Sequence, residues 1–396
     1  MPKPEIAIRI APALADVDPA QWDACANPAL DEPTPGVETH NPFLSHAFLQ
    51  ALEASGSVGG RTGWSPAHLT IDGPDGQLAA AVPAYLKSHS QGEYVFDYGW
   101  ADAFQRAGGD YYPKVQVSVP FTPVTGRRLL VRPGEAAPQM RAALLAGLEA
   151  LRDKTDASSV HLTFLPRDEW ERLGTEGYLQ RTDQQFHFRN EGYGSFDDFL
   201  TALASRKRKM IRRERKDALA NDITIECVTG RDITEAHWDA FWHFYMDTGS
   251  RKWGRPYLNR KFFSLIGETM PDRILLVMAK RAGRYVAGAI NFIGDVALYG
   301  RNWGCVEEHP FLHFEVCYYQ AIEFAIGRKL ARVEAGAQGE HKLARGYGPV
   351  ETYSAHRIAD RRLARAVADY LEQERRHVAE AIEVYGEHTP FRHVGD

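Results

Sequence analysis

The sequence predicts an α/β fold built twice, with mixed central sheets in two tandem domains. Length is the first observation, since 396 residues exceed what one hydrophobic core usually organises. The second is order: each half passes through a strand meander, a helix, another strand and then a loop. The third is a strongly basic, helix-like segment between the halves, with a second charged helix at the chain's end.

In the first half, Ile6–Ile10 alternates as an edge strand does, and Pro19 opens a helix toward Ala24, where a missing N–H is harmless. Pro28–His40, rich in Pro, Asp, Glu and Thr, reads as a loop, and Phe43–Leu52 as a helix. Ala67–Ile71 and Gln77–Tyr85 flank Gly73-Pro74-Asp75-Gly76, a hairpin signal, and Tyr94–Tyr98 is a third strand candidate. Ala101–Ala107 reads as a short helix, Lys114–Val119 as a strand and Pro120–Arg127 as a loop. Ala137–Leu151 has helical spacing, and Val160–Leu165 is apolar enough for a buried strand.

In the second half, Ile274–Ala279, Tyr285–Ile293 and Val296–Trp303 are strands joined by turns at Arg281–Arg284 and Gly294-Asp295. Pro310 starts a helix running to Ile326, and Ala331–Ala335 is the next strand. Past Ala359 the pattern is helical to about Tyr385. The resulting division is a first domain at 1–190, a basic helical connection at 191–222, a second domain at 223–357 and a C-terminal helix and tail at 358–396.

A formal charge of −5 favours no polyanionic partner for the molecule as a whole, and 44% apolar with 25% charged residues is ordinary for a globular protein. Cys25, Cys227, Cys305 and Cys317 are dispersed, which argues against a disulfide scaffold or structural zinc and suits a reducing cytoplasm. The N-terminus lacks a signal-peptide pattern, and no run of eighteen uncharged apolar residues predicts a spanning helix. Peripheral contact with an anionic membrane stays open.

Four stretches carry a resemblance: NPFLSHAFLQALE (Asn41–Glu53), SRKRKMIRRERK (Ser205–Lys216), YGRNWGCVEEHPFLHFEVCYYQAIEFAI (Tyr299–Ile326) and GAQGEHKLARGYGPVETYSAH (Gly336–His356). Across nearly its whole length the chain resembles a bacterial family of the GNAT superfamily, the Fem-like acyltransferases of the peptidoglycan-biosynthesis type. That resemblance implies tandem N-acetyltransferase-like folds. It implies transfer of an aminoacyl or related acyl group to an amine, with a peptidoglycan precursor as acceptor and aminoacyl-tRNA or an acyl-CoA as donor. Where acetyl-CoA-using members carry a glycine-rich pyrophosphate loop, this chain has Trp303-Gly304-Cys305-Val306-Glu307-Glu308-His309-Pro310, with two carboxylates where phosphates would sit. Asp97–Asp102 in the first half is acidic as well. A conventional N-acetyltransferase and a non-catalytic binding protein remain alternatives.

The segment Val333–Arg357 concentrates the candidate chemistry in a glycine-framed loop. Glu340 and His341 are candidate catalytic residues, because a histidine titrates near neutrality and a carboxylate can tune it. Lys342 and Arg345 are suited to clamp phosphate or carboxylate, and His356 is a further candidate. The competing reading is a loop tied by surface ion pairs. Glu307 and Glu308, at the end of a strand, can hold or deprotonate an ammonium, or cap the helix at Pro310. Arg301 and Trp303 alternate with Tyr299 on one strand face, and Arg255 and Tyr257 belong to a candidate substrate rim.

The Ser205–Lys216 segment holds eight basic residues against one acid. Arg206, Arg208, Lys209, Arg212 and Arg213 are its anion-binding candidates, for tRNA, a phosphate-bearing precursor or a membrane face; the alternative is a structural helix with solvated charges. His309 and His313 have i, i+4 spacing but no evident third ligand, so no metal is expected.

Overall fold

The computed structural model describes residues 6–29, 38–134, 136–252, 256–336 and 339–392, with the side chains of Lys252 and Glu340 outside that set. The chain forms two compact units, each assembled from separate stretches. One comprises Met1–Glu32, Thr39–Asp183 and Glu351–Ala379; the other comprises Pro33–Glu38, Gln184–Val350 and Glu380–Asp396. The contiguous division expected at 190, 222 and 357 therefore gives way to interleaved segments.

In the first unit, β1 (Arg9–Ala11), β2 (Trp64–Pro66), β3 (His68–Asp72), β4 (Leu78–Val82), β5 (Ala84–Lys87), β6 (Lys114–Val117), β7 (Leu130–Val131) and β8 (Ser159–Leu165) are followed by the start of β9 (Leu179–Arg189). One sheet has the order β1-β3-β4-β7, and β2-β5-β6-β8 are neighbours in another. The expected strand Gln77–Tyr85 splits at Pro83, which has no N–H to give a ladder, so β4 and β5 enter different sheets. Helix Ala137–Lys154 lays Leu144, Leu148 and Leu151 on Leu69, Val82, Val115 and Leu162. Each such fully buried side chain contributes roughly 1.5–3 kcal/mol.

Tyr94–Tyr98 is not a strand. Asp97 turns into the interior, where its carboxylate accepts from Lys114 Nζ at 2.5 Å and Tyr111 Oη at 2.7 Å, and helix Tyr98–Arg106 starts directly after it.

The second unit contains β10 (Ile223–Thr229), β11 (Ile274–Arg281), β12 (Arg284–Ile293), β13 (Ala297–Cys305), β14 (Arg332–Glu334) and the start of β15 (Tyr347–Ile358). Its sheet runs β10-β11-β12-β13-β14 and continues to β9, with β13 and β14 parallel and the other pairs antiparallel. The core forms where Ile322, Ala325 and Ile326 meet Leu275, Val277, Ala289 and Leu298. The basic segment is a helix, Ser205–Ala218, and belongs to this unit; Ile211, Glu214 and Ala218 form its buried face.

Two expectations change here. The helix expected from Pro310 begins at Leu312, because Phe311 takes a left-handed backbone, φ +60°. It runs as α-helical Leu312–Phe314, a π-helical stretch Glu315–Tyr319 and α-helical Gln320–Gly327. The long loop read over Val333–Arg357 is shorter than expected, since Tyr347–Ile358 is a strand whose end pairs with β8 in the first unit. Helix Arg361–Glu387 completes the chain's regular structure. Among the described residues no helix is long and apolar enough to cross a membrane.

Candidate functional site

The parallel strands β13 and β14 pair only over Ala297–Tyr299 and Arg332–Glu334, while β13 runs on to Cys305. Its ladder with β12 slips between Ile290 and Asn291, whose partners are Asn302 and Gly300. Arg301 is thus the extra residue of a β-bulge, a device that bends a strand and re-aims its side chains. Further along, Gly304 lies so close to helix Glu235–Lys252 that an added Cβ would sit 2.2 Å from the Phe244 carbonyl oxygen. Only glycine fits that contact.

Beyond β14 lies the short 3-10 helix Glu340–Arg345, preceded by Gly339 at φ +117° and closed by Gly346 at φ +91°. The tightness of the turn presents consecutive side chains differently. His341 is exposed, and its Nε2 lies 2.9 Å from Tyr318 Oη in the π-helical stretch. Lys342 points inward, 1% exposed, and donates from Nζ to the Gly336 carbonyl at 2.9 Å. Arg345 reaches back to the basic helix, donating from Nη2 to Glu214 Oε1 at 2.8 Å and from Nε to Oε2 at 3.1 Å. Its Nη1 donates to the His341 carbonyl at 2.7 Å, and its guanidinium lies 3.5 Å from the centroid of the Phe314 ring. Tyr319 donates its hydroxyl to the same Glu214.

The electrostatics follow from this packing. Burial pushes the His341 pKa down, and the Arg345 and Lys342 cations push the same way, so the imidazole is neutral at pH 7. Burial, with Arg301 adding to it and Cys317 opposing, brings the Lys342 ammonium down to about 8. The Tyr318 phenol is pushed up, chiefly by burial.

The structure thus brings together His341, Lys342, Arg345 and Arg301. Trp303 stands beside them through His313: the Trp303 and His313 rings are 5.2 Å apart, and His313 and His341 are 6.3 Å apart. The side chain of Glu340 lies outside the described residues. Glu307 and Glu308 are turned to other partners: Arg281 donates to Glu307 at 2.6 Å with His309 at 3.1 Å, and Arg251 donates to Glu308 at 3.2 Å. Arg281 and His309 hold the Glu307 carboxyl well below its usual range. Neither acid caps the helix, whose start has no side-chain cap. Tyr257 is exposed at 42%, beside Leu258, whose N–H donates to Tyr245 Oη; Arg255 lies outside the described residues.

His356 does not belong here. It lies buried on β15 in the first unit, where its Nδ1 is 2.7 Å from His161 Nδ1. One ring donates and the other accepts, so both stay neutral; burial pushes His161 down to about 3 and His356 well down. Lys114, Asp97 and Tyr111 continue that network, which the sequence reading did not find.

On the basic helix, Arg206 and Lys209 are exposed and Arg208 is half-buried, and among the described residues these three have no ion-pair partner. Arg212 pairs with Asp197 at 3.0 Å and Arg213 with Asp217 at 3.4 Å. Inside, Arg215 pairs with buried Glu315. Glu214 went unnoticed in the sequence as a site residue. Its signal was a lone acid three residues after Ile211, on the helix's apolar side.

The segment between β13 and the helix holds no glycine-rich loop after Gly304. Val306–Pro310 offers Glu307 and Glu308, and the helix that follows is α-helical for only three residues before its π stretch. Among the described residues no group of three or more His, Cys, Asp or Glu is arranged to hold a metal.

A family model described as peptidoglycan biosynthesis/recognition, FemAB-like, matches residues 13–393. The chain belongs to the FemAB-like family. It is similar to the crystal structure of FemX at 12% identity, over 89% of this chain and 98% of that one, with a TM-score of 0.53. It is also similar to the C-terminal domain of a putative lysylphosphatidylglycerol synthetase from Agrobacterium fabrum, at 8% identity, 91% and 96% coverage and TM-score 0.53. L-PGS from Bacillus licheniformis is similar at 10% identity, 85% and 98% coverage and TM-score 0.50. No curated protein matches the sequence. The expected Fem-like membership is borne out, the fold is shared with FemX, and the family model ties the chain to peptidoglycan biosynthesis or recognition, in keeping with the expected acyl or aminoacyl transfer.

Proposed function

We propose that this FemAB-like protein transfers an aminoacyl group from an ester donor of the aminoacyl-tRNA type to the amine of a peptidoglycan precursor, at the His341–Arg345 turn. The observation that carries the reading is an exposed His341, 2.9 Å from Tyr318 Oη and next in sequence to the buried Lys342. A neutral imidazole removes a proton from the incoming ammonium. The freed amine then attacks the acyl carbonyl and forms the new C–N bond. As the ester C–O bond breaks, the departing alkoxide takes the imidazolium's proton, and the attacking nitrogen gives its second proton to the freed imidazole, which passes it to solvent to leave the neutral amide. The Lys342 charge, in a poorly hydrated position, lowers the energy of the oxyanion formed in between. Arg345 holds the turn in place through Glu214 and the His341 carbonyl.

The dispersed spacing of Cys25, Cys227, Cys305 and Cys317 along the sequence, with no disulfide-framework pattern, supports a cytoplasmic setting. The test is transfer of radiolabel from charged tRNA, or from acetyl-CoA, to a muramyl pentapeptide. Transfer from charged tRNA alone is expected. Transfer from acetyl-CoA alone would replace this reading with a conventional N-acetyltransferase, and tight pentapeptide binding without transfer would replace it with a binding protein.

A further inference from the structure

Beside His341 the second unit keeps an aromatic group only partly covered. Phe311 is 38% exposed, and its ring lies 6.2 Å from that of Phe314. Phe314 stands 5.7 Å from His341 and 6.0 Å from Tyr318, and His313 bridges Phe314 at 5.6 Å to Trp303 at 5.2 Å. Two backbone features present these rings. Phe311 sits at φ +60°, a region bulky side chains resist, and Glu315–Tyr319 is π-helical, a distortion that turns side chains off the regular helical face. Strain at a bulky residue that remains exposed contributes nothing to the core, which points to a ligand instead.

We infer that this ring group receives the side chain of the transferred acyl group, and that the group is neutral and apolar, aromatic or branched aliphatic. The inference rests on the proposed transfer at His341. Charge supports it. The cations of Lys342 and Arg345 lie on the same turn as His341, and Arg345 sits against the Phe314 ring. Among the described side chains the nearby carboxylates are already engaged: Glu214 by Arg345 and Tyr319, Glu315 by Arg215 and Gln320, Glu308 by Arg251. Among the described side chains, a lysyl or arginyl group would meet the Lys342 ammonium with no unengaged acid to receive it. An apolar side chain meets polarisable ring faces instead.

The probes are hydrolysis-resistant 3′-aminoacylamino adenosines carrying Phe, Leu, Gly, Lys or Glu, with binding measured by calorimetry. The phenylalanyl and leucyl compounds should bind at least about tenfold more tightly than the lysyl one, the difference expected for an apolar group in a matched pocket. Phe311→Ala, a change at an exposed residue, should reduce that preference several-fold, and Phe311→Tyr should retain it. Equal binding of the lysyl and phenylalanyl compounds, or a preference indifferent to Phe311→Ala, overturns the inference and leaves the transfer reading standing. Failure of every compound to bind overturns both.

Discussion

Glu214 and Arg345 form a two-pronged ion pair that joins the buried face of the basic helix to the candidate catalytic turn, with contacts of 2.8 and 3.1 Å. Both residues are 6% exposed. Removing one partner leaves the other charged and buried. Glu214→Leu is therefore expected to lower stability by about 3–5 kcal/mol, seen as a lower denaturant midpoint. The fraction that stays folded should also lose transfer activity, because Arg345 would no longer hold the His341 carbonyl. A midpoint unchanged from wild type would show that the pair does not lock the turn.

The buried His161–His356 pair leads to the opposite expectation. His356→Phe leaves His161 Nδ1 without its partner, which costs about 1–3 kcal/mol. Since His356 belongs to the first unit, kcat/KM of the folded variant should match wild type in a transfer assay. A large fall in kcat at full folding would return His356 to the catalytic machinery.

The titrating groups of the turn set a pH dependence. His341 acts when neutral and its pKa is lowered, so activity should be level around pH 7 and fall only below the ordinary histidine range. Lys342 acts when charged, so activity should decline as pH rises through about 8. Stability moves the other way. The folded chain releases the Lys342 proton near 8 and the unfolded chain near 10.5, so the unfolded state binds more protons between those values and stability rises with pH there. Lys342→Met should remove that rise, as read from urea midpoints across the window. An alkaline limb of activity that survives Lys342→Met would assign it to another group.

Arg206 and Lys209 extend from the exposed side of the basic helix without ion-pair partners among the described residues. Exposed charges of this kind act through screened, salt-dependent attraction. Arg206→Glu with Lys209→Glu should weaken binding of a phosphate polymer, tested with charged tRNA, several-fold at low salt and far less at high salt. Identical affinities at both salt concentrations would make the face a solvated surface only.

Much of the fold was legible because burial imposes periodicity. Strands β11 and β12 run apolar as their two-sided burial requires, β13 is buried at Ala297–Tyr299 and Gly304, and Pro310 lies two residues from where its helix starts. The candidate turn was legible as chemistry set among glycines, two of which, Gly339 and Gly346, take the positive φ that only glycine adopts readily. Long-range pairing was not. Nothing local in Tyr347–Ile358 says that one strand passes from one unit into the other, which is why His356 separates from His341. The same holds for Glu214, whose role depends on an arginine 131 positions later. Glu307 and Glu308 misled because strand-end acids attract functional readings, while Arg281 and Arg251 engage them from outside that stretch of chain.

The central claim is that neutral His341 takes the proton of the attacking amine. It is tested most directly by single-turnover transfer from charged tRNA to a muramyl pentapeptide, comparing wild type with His341→Ala. His341→Ala removes the hydrogen bond to Tyr318, a loss of about 1–3 kcal/mol, so the variant should unfold at a lower temperature yet stay folded in the assay, while the transfer step slows by about 100-fold or more. A variant that folds normally and transfers at the wild-type rate would contradict the account.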